Sequence, residues 1–305
     1  MKKLGLDYEH LGKLNPRLIY VSISGFGRTG PYSDRTAFDI IAQASSGIMH
    51  AYKMQDRPPK VYFGDLVSGA YGALGALEAL IYRERTGKGQ LVDISMQDVM
   101  YFQNFSCFTE SALEPVSDEI EKMIGTSLSG LLTDDHHPKP FWSSFKAKDG
   151  YVVIVALTDR EWAHFMEVIG REDMITDPKF NNFLVRIQNA DEGVRQIAPW
   201  IAERPADEVV SALEAKSVPC AKVADFDEVN NSEQLAARGM IAEVEDSKLG
   251  TIKVPGDPIR LSAVPSEIKS PCPHLGEHTE EVLRDWLDLG EEEITGLAKK
   301  NAIKK

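Results

Sequence analysis

The sequence predicts an α/β protein, with a parallel sheet in its first part and a smaller α+β domain in its second. Two apolar, β-branched segments, residues 18–24 and 90–96, lie on either side of a long helical segment, residues 66–85. A strand, a crossover helix and a second strand in this order are typical of a parallel pair covered on both faces. After residue 140, isolated strands alternate with short amphipathic helices, which indicates a separate α+β domain.

The composition of the chain limits the classes of partner and the cellular compartments that fit it. The chain has 305 residues, 43% of them hydrophobic, which is enough for a large core. A net charge of −13 argues against nucleic acids and anionic membranes as partners, because both bind surplus Lys and Arg. No apolar run reaches membrane-spanning length. The three cysteines are widely spaced, so we expect a reduced, cytoplasmic protein.

A glycine-rich turn follows the first strand. Residues 25–30 match the pattern G-x-G-x-x-G, which also occurs in dinucleotide-binding folds. That fingerprint requires the glycines to open a helix, with an acid about 20 residues later, and neither condition is met here. A turn leaving a strand is therefore favoured over a NAD site. Its amides, with Arg28 and Arg35 nearby, could still face an anionic group.

The long helix carries an isolated acid where it begins. Asp65 is the only charged residue between Lys60 and Glu78. Two interpretations remain open from local sequence: the carboxylate caps the helix, or it takes part in chemistry. Leucines, one alanine and one isoleucine share a stripe along the helix, and three glycines crowd its first half. Glycines lower helix stability, so we expect them to mark a close approach by another backbone or by a ligand.

Two histidine pairs and one cysteine are weak candidates for chemistry. The adjacent His136 and His137 and the spaced pair His274 and His278 lack a third ligand at useful spacing, so no metal site is predicted. Cys220 has no nearby histidine in sequence and is interpreted as an inert thiol.

Several segments together resemble a known family. They are NPRLIYVSISGFGRTGPY, AFDIIAQASSGIM, GDLVSGAYGALGALEAL, RERTGKGQLVDISMQDV, ARGMIAEVE, LGTIKVPGDPIRLS and HLGEHTEEVL. Taken together, these segments resemble the class III CoA-transferases, the family that includes formyl-CoA transferase and carnitine CoA-transferase. The resemblance extends over nearly the whole chain. It implies a Rossmann-like sheet in the large domain and acyl-CoA and a carboxylic acid as substrates, with no prosthetic group.

The resemblance also implies site residues. Asp65 matches the nucleophile that forms an acyl-aspartyl anhydride and then an aspartyl-CoA thioester. Asp39 matches a carboxylate position near that site, where formyl-CoA transferase has a glutamate. The residues implied in CoA binding are Lys3, Gly25, Gly27, Arg28, Arg35 and Asp39.

Other reactions on this fold remain alternatives. Related racemases carry a proton-transferring histidine where this chain has Phe38, so transfer is favoured over racemisation. Formyl-CoA transferase has a glycine run that residues 124–140 lack, which argues against formyl or oxalyl substrates. Besides racemisation, another alternative is a catalytically impaired, truncated remnant that needs a partner chain to complete its sheet.

The resemblance finally suggests an organisation for the chain. We expect a large domain at 1–109, a linker at 110–140, a small domain at 141–253 and a returning segment at 254–305. Family members carry about a hundred further residues before this start, a domain-sized length, so the sheet is expected to be N-terminally incomplete. The resemblance also implies an interlocked homodimer.

Overall fold

The first part of the chain is mostly helical, with two short strands. The computed structural model describes residues 1–124, 139, 141–264 and 267–303. Its first helices are α1 (Tyr8–Leu14), α2 (Asp39–Ser45), α3 (Ile48–Ala51), α4 (Phe63–Thr86), α5 (Met96–Gln103), α6 (Phe105–Leu113) and α7 (Ser117–Ile124). Two strands, β1 (Tyr20–Ser24) and β2 (Leu91–Ser95), lie among them.

The predicted parallel pair is present. Strands β1 and β2 run parallel, in register from Tyr20 opposite Leu91 to Ser24 opposite Ser95. The connection between them contains α2, α3 and α4, and α4 packs on the sheet through its small residues. A Cβ atom at Gly72 would lie 2.9 Å from Ile23 Cδ1, and one at Gly75 would lie 2.6 Å from Val92 Cγ1. A close approach is present at these two glycines, but strand side chains make it rather than the expected backbone or ligand, and no described atom would lie within 4 Å of a Cβ at Gly69.

The stripe of large apolar side chains on α4 faces outward. Leu66, Leu74, Leu77 and Ile81 are 50–67% exposed, whereas Gly64, Ser68, Gly72 and Ala79 are buried. The small residues of the helix, rather than its leucines, face the sheet. A helix that is apolar on both faces is usually covered on both faces.

A second sheet organises the main core of the chain. Strands β3 (Trp142–Lys146), β4 (Tyr151–Val155) and β5 (Cys220–Lys222) pair antiparallel in the order β3-β4-β5. The helices between β4 and β5 are Asp159–Ile169, Asp173–Thr176, Phe183–Gln188, Ala190–Ala202 and Ala206–Glu214. Large fully buried side chains such as Trp162 and Phe165 fill the space between this sheet and its helices.

The chain divides into two compact units, Met1–Lys222 and Val223–Lys305. The second unit contains an antiparallel hairpin of β6 (Ile241–Asp246) and β7 (Gly250–Pro255). Its helices are Phe226–Asn230, Glu233–Ala237, Thr279–Leu287 and Glu291–Lys299. The α/β fold class with a parallel sheet is confirmed, while the four-segment domain division stays a prediction.

Three local predictions need correction. The apolar spacing of residues 36–49 predicts one helix, but the structure divides this segment into α2 and α3 at Gly47, whose φ of 84° ends the first helix. The segment from residue 110, interpreted as irregular, is helical as far as Ile124. The sequence predicts no helix after Leu287, but residues Glu291–Lys299 form one around buried Ile294, with three glutamates at its positive end.

Cys220 has the environment of an inert thiol. It is half-buried, and its Sγ lies 3.7 Å from the Val210 carbonyl oxygen, to which it donates. Burial, with a smaller contribution from Glu214, raises the pKa of the thiol to about 11. Little thiolate exists at neutral pH, which supports the interpretation of Cys220 as a packing residue.

No helix among the described residues has both the length and the apolar character needed to cross a bilayer.

Candidate active site

The glycine turn is fixed to the carboxyl ends of both parallel strands. The N–H of Gly27 donates to Ser24 Oγ at 3.1 Å, and the N–H of Arg28 donates to Asp93 Oδ2 at 3.0 Å. Gly27 has a φ of 80°, which favours glycine. The next helix begins only at Asp39, so these glycines do not open a helix and the turn interpretation holds.

The turn is packed closely against the start of α2. A Cβ atom at Gly25 would overlap the Cβ of Ala37, so the chain at this point requires glycine. Phe38 follows as the N-cap residue of α2, and its side chain is 81% exposed. This contact places the first turn of α2, and therefore Asp39, at the carboxyl edge of the parallel sheet, where ligands bind in open α/β folds.

Asp39 is a buried carboxylate that joins two helices. Its side chain is only 6% exposed. Oδ1 accepts the N–H of Asp65 at 3.2 Å, and Oδ2 accepts Nε2 of Gln43 at 2.6 Å. The N-cap residue of α4, Tyr62, makes no side-chain cap hydrogen bond, so Asp39 satisfies an amide at this helix end from a distance of 26 residues in sequence. The negative charge also suits the positive end of the helix.

Gly64 makes this contact possible. A Cβ atom at residue 64 would lie 2.9 Å from Asp39 Oδ1 and 3.2 Å from the Asp39 carbonyl oxygen. Any larger residue would push the first turns of α2 and α4 apart. The glycine before Asp65 is therefore required for close approach rather than for an unusual backbone angle.

Asp65 lies inside the first turn of α4, as its third residue. Its side chain is exposed. Its carboxylate has no hydrogen-bond or ion-pair partner in the part of the chain that the structure describes. Asp65 is thus not the cap of the helix, which was the competing interpretation. A fixed backbone and a free, exposed carboxylate are what a nucleophile requires.

The predicted cations are less directly placed. Arg28 forms an ion pair with Glu9 at 2.9 Å, and the guanidinium of Arg35 stacks over the ring of Tyr32 at 3.6 Å. Lys3 is exposed in a short 3₁₀ turn. Across residues 1–124, where all of them lie, none of the three contacts Asp65. Their role in binding CoA therefore stays a prediction.

A second cluster of polar groups lies in the Val223–Lys305 unit. A cavity of about 210 Å³ is lined by residues that include Ser247, Cys272, His274 and His278. Nowhere in the described residues do three His, Cys, Asp or Glu side chains form a set that could hold a metal ion. The pair His136 and His137 lies outside the described residues, as does most of the segment at 124–140 that lacks the glycine run.

Sequence reasoning missed two residues of this site. Gln43 lies one helical turn after Asp39, a spacing that places both on one face, so this pairing was visible in the sequence. The contact of Gly64 with Asp39 joins segments 25 residues apart, and no local signal predicts it.

Comparisons with known proteins agree on one family. The sequence profile described as CoA-transferase family III matches residues 1–279. A succinyl-CoA–D-citramalate CoA-transferase of Chloroflexus aurantiacus is 32% identical over 99% of this chain and 74% of its own length. A succinyl-CoA:glutarate CoA-transferase of Mus musculus is 31% identical over 97% of this chain and 66% of its own length.

A solved structure gives the same result for the fold. A CAIB/BAIF family protein from Brucella suis aligns with a TM-score of 0.69 at 28% identity, over 92% of this chain and 71% of that one. These relatives are longer than the present chain by a quarter to a third of their own length.

Proposed function

Since the chain belongs to CoA-transferase family III, we propose that it transfers coenzyme A from an acyl-CoA to a carboxylic acid through Asp65. The observation that carries the proposal is the state of this residue. Its carboxylate is exposed and unpaired among the described residues, while its amide is held by the buried Asp39. CoA thioesters are then substrates, and the proposal requires no prosthetic group.

The proposed reaction has four steps, each balanced. The Asp65 carboxylate attacks the thioester carbonyl, forming a mixed anhydride and releasing CoA thiolate. The thiolate attacks the aspartyl carbonyl, giving an aspartyl-CoA thioester and the free donor acid. The acceptor carboxylate attacks that thioester, re-forming an anhydride and releasing thiolate. The thiolate then attacks the acceptor's acyl carbonyl, yielding the new acyl-CoA and the original carboxylate.

The protein's contribution to these steps is positioning and electrostatics. The first turn of α4 carries positive backbone charge, which favours negative charge developing on the acyl oxygen. We propose that the glycine turn, Lys3 and Arg35 face the CoA phosphates. Arg28 joins them if Glu9 gives up its ion pair or is compensated on binding.

A short dicarboxylic acid is the proposed substrate class. Two of the relatives are named as transferases that use succinyl-CoA, with citramalate or glutarate as the other acid. Phe38, exposed beside Asp39, offers no acid or base, which supports transfer over racemisation.

Covalent trapping tests the proposal. The purified chain is incubated with succinyl-CoA and then with hydroxylamine, and the modified residue is mapped by mass spectrometry. A hydroxamate at Asp65, together with exchange of CoA onto added glutarate, supports the proposed reaction. Exchange of the α-proton of an acyl-CoA, with no hydroxamate and no transfer, would point to an isomerase instead.

We also propose a homodimer, supported by the outward stripe of α4. Leu66, Leu74, Leu77 and Ile81 form an apolar surface that a second copy could cover. Sedimentation velocity is expected to show a dimer that Leu77→Glu weakens by at least about tenfold in dissociation constant, because a charge would be buried. Leu249→Glu, at an exposed hairpin turn of the other unit, serves as the matched control. A monomeric parent chain, or equal effects of both changes, would contradict this interface.

The cytoplasm is the proposed location. All three cysteines, Cys107, Cys220 and Cys272, are free thiols, which fits a reducing compartment.

A further inference from the structure

Gln43 is a fully buried polar residue whose contacts lead to the proposed nucleophile. Its exposed fraction is 0%. Nε2 donates to Asp39 Oδ2 at 2.6 Å and to the Val61 carbonyl oxygen at 2.8 Å. Val61 immediately precedes the N-cap residue of α4. One amide group therefore joins the buried carboxylate of α2 to the segment that enters α4.

The orientation of this amide is determined by its partners. Both the Asp39 carboxylate and the Val61 carbonyl can only accept hydrogen bonds, so the NH₂ group must face them. The other end of the side chain, Oε1, is buried and has no partner in the described part of the chain. Leaving such an oxygen unpaired costs about 1–3 kcal/mol. An apolar side chain of similar size would avoid that cost, so packing alone does not account for a glutamine here.

Each carboxylate oxygen of Asp39 consequently has its own hydrogen-bond donor. Gln43 holds Oδ2, and this leaves Oδ1 directed at the amide of Asp65. Gly64 allows the two helices to approach closely enough for that contact. The orientation of the first turn of α4 thus depends on a chain of contacts that starts at Gln43.

We propose that Gln43 is a positioning residue for Asp65, acting through Asp39 and Val61 without touching the substrate. The inference rests on the proposed transfer by Asp65. A displacement of about 1 Å at a reacting group can cost about 100-fold in rate, so small losses of alignment are measurable.

Two substitutions test this role. Gln43→Leu keeps the volume but removes both donors. We expect kcat to fall by about 10- to 100-fold, with the KM for acyl-CoA changed by less than about threefold, because alignment and not binding is lost. Activity is expressed per Asp65 that can be trapped with hydroxylamine, so a smaller folded fraction does not mimic the effect. Gln103→Leu, an exposed glutamine that donates to Tyr71, is the matched control and should be unaffected.

The substitution Gln43→Glu adds a second measurement, the pH dependence of kcat, which a purely structural role of residue 43 would not change. The introduced carboxyl faces Asp39 and the Val61 carbonyl, with Asp65 as the next ionisable group along the chain of contacts. At low pH the introduced group holds a proton and can donate it to Asp39, whereas at higher pH two adjacent carboxylates repel. The ratio of its kcat to that of the parent chain should therefore fall as pH rises from 5.5 to 8.

Hydrogen exchange separates failure of this inference from failure of the proposed function. In Gln43→Leu we expect amides in the peptide spanning residues 61–66 to exchange at least about tenfold faster, whether or not the chain transfers CoA. If the parent chain is not labelled at Asp65, the proposed function fails, and exchange alone decides whether Gln43 fixes this turn. Unchanged exchange, or an active parent whose Gln43 variants keep full kcat at every pH, overturns the inference.

Discussion

We expect the Asp65→Ala chain to lose CoA transfer by about 10⁴-fold or more, since the reaction then has no nucleophile with which to form its covalent intermediates. The chain should fold normally. The side chain of Asp65 is exposed and unpaired among the described residues, and the amide that Asp39 accepts is part of the backbone. The measurement is steady-state transfer from succinyl-CoA to glutarate, together with hydroxamate formation at residue 65.

Asp98 provides a closely matched control. It too is the third residue of a helix, α5, and its side chain is exposed. Its N–H donates to Ser95 Oγ at 3.1 Å, much as the N–H of Asp65 donates to Asp39. Asp98→Ala removes the same charge from a comparable helix end, so full activity in this variant excludes a general loss of helix-end electrostatics. Comparable losses in both variants, or residual labelling in Asp65→Ala, would refute the assignment.

The strands and the helix around Asp65 were largely predictable, because the sequence patterns that predict them are local. The two apolar strands and the long helix between them follow from the pattern of neighbouring residues. The observed α4 extends only three residues earlier and one later than the predicted helix. The resemblance to CoA-transferases is confirmed for residues 1–279.

The contacts of the site depend on long-range packing, and this is why they were missed. The sequence identified Asp39 and Asp65 separately, but their hydrogen bond depends on how closely α2 and α4 approach. That distance is set by Gly64, whose role appears only when the neighbouring backbone is known. Gln43 is the exception, because its spacing from Asp39 placed it on the same helical face.

The orientation of α4 does not follow from the spacing of its apolar residues alone. Leucines spaced along one stripe usually face a core, and this chain places glycine, serine and alanine there instead. Small residues let the helix axis approach the sheet, and the leucines remain for another surface. Periodicity identifies two apolar faces but does not determine which of them meets the sheet.

The largest expected effect on stability concerns Arg186, whose side chain is 0% exposed. Its Nη2 lies 2.6 Å from Asp159 Oδ1, its Nη1 donates to the Phe180 carbonyl oxygen at 3.0 Å, and its guanidinium lies 5.2 Å from the centre of the Trp162 ring. Asp159→Ala leaves that charge buried without a carboxylate. We expect the free energy of unfolding to fall by about 2–3 kcal/mol, somewhat less than for a fully buried pair because the Asp159 side chain is mostly exposed.

Asp173 supplies the comparison that isolates burial as the cause. Like Asp159 it is the first residue of its helix, and it binds Arg171 through two hydrogen bonds of 2.8 Å. Those bonds hold the pKa of the Asp173 carboxyl below its usual range, yet the Arg171 side chain is 31% exposed and the pair is screened by solvent.

Urea denaturation followed by tryptophan fluorescence measures both variants, since three of the four tryptophans lie between residues 142 and 200. Asp173→Ala should cost much less, and its effect should fade in 1 M salt, while that of Asp159→Ala should persist. If both variants lose the same free energy of unfolding, or if salt abolishes the loss in Asp159→Ala, then the Arg186 charge is solvated and its burial does not raise the cost of removing Asp159.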